Sequence, residues 1–323
     1  MVRVIASLSL LLLSSAFASA QNGVLSFLDA DVNARTAGMA GAGAVCRDNP
    51  MALYANGAAA LAGDNAAGGA IFTGPWRTGY EFADVVCGGT AFYRPGGLNM
   101  VSAGFRYISG PSMDIMDEYG HLNGSMRPVD WALDLGYGRL FGKSWAVALN
   151  ARWVRSDYGF GDGPSDVAML DLHGAYLGRL ASEERGSWTA GLSVKGMGTP
   201  LRAGGDSYAL PLDVVAAGNV DLAFGKSHSL AFSADMDFRV MPSAMYGISA
   251  GAEYTFLRHG VLRAGYCATF SKIAGMCNCF NGFASAGCGL VFGHFRCDAA
   301  CRFCNDKSNP LHLSTVFSVS VLF

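Results

Sequence analysis

From Ala66 to Phe323 the chain alternates apolar side chains with small or polar ones, in runs separated by turn residues. Successive side chains of a strand point to opposite faces, so each run reads as a strand with one apolar face. Fourteen runs stand out, at about 66–74, 85–94, 99–108, 130–140, 143–155, 167–178, 187–195, 208–224, 228–238, 246–256, 260–270, 282–292, 295–303 and 312–322. In one, Trp131, Leu133, Leu135 and Tyr137 share a face, against Asp130, Ala132, Asp134, Gly136 and Gly138. In the next, Trp145, Val147, Leu149, Ala151 and Trp153 oppose Ser144, Ala146, Ala148, Asn150 and Arg152. Later, Leu230, Phe232, Met236 and Phe238 oppose Ser229, Ser233, Asp235 and Asp237. The last run sets Leu313, Thr315, Phe317, Val319, Val321 and Phe323 against mostly small, polar neighbours. A final strand with an aromatic at its end suits a barrel whose outer face meets lipid.

Two regularities favour a membrane barrel over a soluble sandwich. Aromatics sit near both ends of apolar faces, as with Trp145 and Trp153 or Tyr246 and Phe256, which is the pattern of interfacial girdles. Connections alternate in length: 95–98, 141–142, 225–227 and 257–259 are short, whereas 109–129, 156–166, 196–207 and 271–281 are long. Outer-membrane barrels have short periplasmic turns and longer external loops. The sequence therefore predicts an all-β fold, a fourteen-stranded antiparallel transmembrane barrel over 66–323.

Composition agrees. Charged residues are 15% of the 323 residues and glycines number 43, while no mature stretch is apolar enough to predict a membrane-crossing helix. A net charge of −2 argues against nucleic acid as a partner. Residues 1–20 read as a signal peptide: Arg3, an apolar core from Val4 to Leu13, then Ala18-Ser19-Ala20 as a cleavage pattern. Residues 21–65 do not alternate. They are rich in Ala and Gly, and small residues suit a plug packed inside the barrel, with a periplasmic extension as the alternative.

Parity also places the chemistry. Glu253 and Arg263 point inward on consecutive strands and fall opposite each other, which predicts a lumen salt bridge. Cys297, Cys301 and Cys304 have the spacing of a cluster ligand set, but the first two fall on an apolar face and the third has opposite parity. No metal or cofactor is expected. Cys277 or Cys279 with Cys304 are the disulfide candidates among nine cysteines. No nucleophile-elbow or zinc-hydrolase motif occurs, and inward Asp171 and His173 suit a polar lumen without catalysis, so an enzyme is not expected.

The segment Ala34-Arg35-Thr36-Ala37-Gly38-Met39, with Asp48-Asn49-Pro50-Met51-Ala52-Leu53-Tyr54 and Asn56, resembles the N-terminal hatch of FadL-like outer-membrane barrels. Asp117-Glu118-Tyr119-Gly120, the stretch from Pro128 to Arg139, Gly251-Ala252-Glu253-Tyr254, Leu262-Arg263-Ala264-Gly265-Tyr266 and Asn309-Pro310-Leu311 resemble, more narrowly, the PorV family of the type IX secretion system of Bacteroidota. That resemblance implies an outer-membrane shuttle. It would take cargo by its C-terminal signal domain from the translocon to the attachment-complex proteins. The external loops would be the docking surface, with Met113, Asp114, Asp117, Glu118, Tyr119, Asp157, Tyr158 and Phe160 as contact residues. The alternative is a FadL-like channel for hydrophobic small molecules. An inward face read as mostly small or polar favours the shuttle.

Overall fold

The computed structural model describes residues 25–77, 84–116, 119, 121–157, 163–180, 186–203, 205–225, 227–242, 244–273, 277–306, 309 and 311–323. The expected signal peptide lies outside them. The strands are β1 (Ala67–Arg77), β2 (Asp84–Tyr93), β3 (Asn99–Ser109), β4 (Met113–Met116), β5 (Leu122–Met126), β6 (Val129–Phe141), β7 (Trp145–Asp157), β8 (Ser165–Arg179) and β9 (Gly186–Gly198), followed by β10 (Leu201–Ala203), β11 (Asp206–Tyr208), β12 (Leu212–Phe224), β13 (His228–Met241), β14 (Met245–Phe256), β15 (Gly260–Ile273), β16 (Cys277–Phe292), β17 (Phe295–Cys304) and β18 (Thr315–Leu322). Fourteen of them form one closed antiparallel barrel, and β4–β5 and β10–β11 are separate hairpins within external loops. The barrel closes where β1 meets β18, with Gly69 opposite Val321 and Ile71 opposite Val319.

Alternation sets the two faces. Leu135, Trp145, Leu149, Phe232 and Phe317 are exposed on the outside, while Asp134, Asn150, Arg152, Ser233 and Ser318 are buried inside. Closure leaves no edge strand, so the ladder satisfies the backbone in hydrocarbon, and an apolar outer band with a polar interior makes this an outer-membrane barrel. At one end Trp131 meets Trp153 edge-on, with ring centroids 4.9 Å apart, and at the other Trp145 meets Tyr176 at 4.9 Å.

Several sequence expectations shift at strand ends. The run at 208–224 begins only at Leu212, because Asp206–Tyr208 pairs with β10. Leu313 belongs to a turn, with φ +62°, and not to the last strand. Most of the loop expected at 271–281 is strand, since β15 runs to Ile273 and β16 starts at Cys277. This overturns the expected disulfide. Cys304 is free and pairs in register with Phe283, four residues beyond Cys279 along β16. At about 3.3 Å per residue the gap is roughly 13 Å, too far for a bridge.

Candidate functional site

The N-terminal segment fills the barrel. A 3-10 turn at Ser26–Asp29 is followed by a helical turn at Ala34–Ala37 and further 3-10 turns at Ala52–Tyr54 and Gly57–Ala62. Asn33 and Asn56 open two of these turns by accepting from the backbone N–H two residues on, at 3.0 Å each. The segment is held at many points. Asp235 accepts from the N–H groups of Gly43 and Ala44 at 2.9 and 2.8 Å. Thr90 Oγ1 donates to the Pro50 carbonyl at 2.8 Å, and the Tyr54 hydroxyl lies 3.0 Å from the Gly89 carbonyl. The plug backbone comes closest where the wall has glycine. A Cβ at Gly265 would lie 2.2 Å from the Met39 carbonyl carbon, and one at Gly251 would lie 2.4 Å from Met39 Cβ.

Two ionic clusters brace the lumen. Arg263 Nε lies 2.6 Å from Glu253 Oε2, and the two residues face each other in register. The sequence placed this pair, but not the other members. Arg35 of the plug reaches Glu253 at 2.8 Å, Arg296 reaches it at 2.8 Å, and Asp298 joins Arg263 at 2.7 Å and Arg296 at 3.0 Å. The parity of β17 makes Arg296 and Asp298 inward, which was the signal available for them. The second cluster is Arg152 between Asp134 at 2.6 Å and Asp171 at 2.9 Å, with Arg106 at 3.6 Å from Asp134. These four residues lie inward on neighbouring strands, β3, β6, β7 and β8, another legible sign. The Arg106 guanidinium stacks 4.4 Å from the centroid of the Tyr54 ring. Buried ion pairs of this kind fix one arrangement more than they stabilise it.

Asp171 is engaged by Arg152 and, through Oδ1, by the Gly196 N–H at 2.8 Å. Gly196, at φ +84°, is the extra residue of a bulge where the β8–β9 register shifts. His173 Nδ1 meets Ser193 Oγ at 2.9 Å, but Asp171 is held elsewhere and no acid–base relay forms.

Above the clusters, toward the external loops, the wall is apolar. Phe72, Val86, Ile108, Ala132, Val154, Val167 and Met169 form one buried cluster with Leu25 and Phe27 of the plug and Leu201 and Leu210 of the loop between β9 and β12. This corrects the expectation that inward faces are mostly small or polar: large apolar side chains point inward here, and Phe92, Met100 and Val261 do so near the periplasmic end. A cavity of about 350 Å³ adjoins this cluster at Met51 and Met169 and is lined also by Asp31, Lys195, Asp213, Asp235, Asp237 and Arg239. Arg239 ties the segment to the wall, at 2.7 Å from Asp29 and 2.8 Å from Asp213. Burial raises the Asp31 carboxyl above its ordinary pKa, and its Oδ2 has no hydrogen-bond partner.

Of the loop residues expected to bind partners, Met113 and Asp114 lie on β4. Tyr119 is exposed beyond that strand, and Asp157 ends β7, paired with Val129 at the base of the β4–β5 hairpin. Asp117, Glu118, Tyr158 and Phe160 lie outside the described residues.

No sequence-family model matches the chain, and no curated protein does. Solved structures do. The CymD monoaromatic hydrocarbon channel aligns with a TM-score of 0.59 and 12% identity, covering 90% of this chain and 97% of that one. The toluene transporter TodX of Pseudomonas putida gives 0.56 and 13%, over 89% and 97%. A Pseudomonas aeruginosa FadL homologue gives 0.55 and 12%, over 90% and 98%. Two of these are described as a channel and a transporter, and at such identities the likeness concerns the fold: this chain has the fourteen-stranded, FadL-like outer-membrane barrel architecture.

Proposed function

We propose that the chain is a plugged outer-membrane channel that admits small hydrophobic molecules. One observation carries the reading: the apolar wall of Phe72, Val86, Ile108, Val154, Val167 and Met169 beneath the external loops, covered by Leu25 and Phe27. Concave, mostly apolar surfaces with a few polar groups are what such ligands require. The neighbours described as hydrocarbon channels and a toluene transporter support the same chemistry. Leu25 and Phe27 of the N-terminal segment cover this wall, so displacing them would expose it to the cavity that Met169 already lines. Cells expressing the protein should take up radiolabelled toluene faster than cells without it, and Ile108→Asp should abolish the gain. Uptake equal with and without the protein overturns the reading.

A second reading is the type IX secretion shuttle, with translocon, attachment-complex proteins and cargo signal domains as partners. The β4–β5 hairpin favours it, because Ile115, Tyr119 and Leu122 are exposed there, at 38%, 67% for Leu122 and 78% for Tyr119. Affinity purification from outer membranes tests it; absence of both translocon and cargo from the eluate sinks it.

A further inference from the structure

Three periplasmic turns on one half of the barrel repeat a single arrangement that neither the lumen nor the loops explain. His228 follows the turn between β12 and β13, His259 ends the turn between β14 and β15, and His294 ends the turn between β16 and β17. Each is exposed, and each ring stacks on an aromatic on the next strand or, for Phe323, just past its end. His228 lies 5.9 Å from Tyr254, His259 lies 6.1 Å from Phe292, and His294 lies 5.4 Å from Phe323, centroid to centroid, with interplanar angles of 16°, 21° and 27°. The short turns of the other half, 94–98, 142–144 and 180–185, carry no histidine.

Hydrogen bonding fixes the tautomer at two of the three. His259 Nδ1 is 2.9 Å from the Val291 carbonyl oxygen, and His294 Nδ1 is 2.6 Å from that of Leu322. A carbonyl only accepts, so Nδ1 carries the hydrogen. In the neutral ring Nε2 then holds a lone pair on the far side. It sits at the headgroup level marked by the exposed rings of Phe224, Phe292, Phe295 and Phe323. At His228 the partner is the Tyr254 hydroxyl at 2.9 Å, where either group can donate, so the tautomer is open. Successive histidines are two strands apart, roughly 10 Å, too far to share one ion.

We propose that this half of the periplasmic rim binds phospholipids with a primary ammonium headgroup, phosphatidylethanolamine, with His259 and His294 Nε2 each accepting from one ammonium. The stacked aromatic faces add attraction for the same cation. Phosphatidylcholine has a quaternary nitrogen with no N–H and serves as the control lipid, since it keeps the aromatic attraction and loses the hydrogen bond.

The test is native mass spectrometry of the full-length protein released from nanodiscs of equal phosphatidylethanolamine and phosphatidylcholine. The wild type should retain the ethanolamine lipid about ten-fold over the choline lipid. His259→Phe with His294→Phe preserves the stacks and should retain lipid without the preference. Equal retention of the two lipids by the wild type overturns the proposal, and needs no variant to fold. A preference that survives in the double Phe variant overturns it as well.

Discussion

Glu253 sits at the centre of a cluster whose charges can be counted. Arg35, Arg263 and Arg296 supply three positive charges, and Glu253 and Asp298 two negative ones. Without the plug, the wall alone is balanced: two guanidiniums against two carboxylates. Arg35→Met therefore removes the tether and leaves no orphaned wall charge. It deletes two bonds to Glu253, at 3.0 and 2.8 Å, and one to the Arg47 carbonyl at 2.7 Å. Because Glu253 keeps two partners, the loss should be about 2–3 kcal/mol, roughly 30- to 150-fold in the released plug population. Glu253→Gln is harsher, since it leaves three guanidiniums facing Asp298 alone, and removal of one partner from a buried ionic group costs about 3–5 kcal/mol. Hydrogen exchange at the amides of Gly43 and Ala44 reports plug seating, and heat-modifiable gel mobility reports the barrel. The expectation is faster exchange with an unchanged barrel for Arg35→Met, and both effects for Glu253→Gln. If Arg35→Met melts the barrel as much as Glu253→Gln does, the charge count is wrong.

Three further outcomes follow from the same geometry. Gly265→Val drives a side chain into the Met39 backbone, which no rotamer relieves; overpacking of this kind costs about 1–3 kcal/mol, and limited proteolysis should then cut near Met39 in folded barrels. Burial pushes the Cys46 thiol up to about 11, so at pH 8 roughly 0.1% is thiolate; peptide mapping after maleimide treatment should find Cys46 unmodified in the wild type and modified in Arg35→Met. Leu135, 66% exposed near the middle of β6, faces hydrocarbon, and Leu135→Arg should cost about 2–4 kcal/mol in equilibrium folding into vesicles; a neutral result would place that face elsewhere.

Strands were legible because a period of two survives even short windows. Trp131 to Tyr137 and Trp145 to Trp153 alternate over whole membrane crossings, and lipid on one side enforces it. Glu253 opposite Arg263 was legible for the same reason, since consecutive strands joined by a short turn fix their register. Arg35 was not. Its partner is 218 residues away, and no local period connects a plug turn to a strand. The apolar mouth was also hidden. Phe72, Ile108, Val154 and Met169 come one or two to a strand from different strands, so the patch exists only once the sheet is rolled up. The small hairpins were lost inside long loops, where Leu122–Met126 is too short to show a period.

The glycine seats constrain how the molecule is made. Gly251, Gly265 and Gly287 lie on β14, β15 and β16, and the first two touch Met39 while the third meets Gly38. The segment thus docks on strands synthesised some two hundred residues after it. Those seats must wait until the late strands exist, and the contacts to them, such as Arg35 to Glu253, close loops of some two hundred residues, which makes the step slow. Ala66 leaves the plug beside the β1–β18 seam, its N–H bonded to the Phe323 carbonyl at 2.6 Å, so closing that seam also fixes where the plug joins the wall.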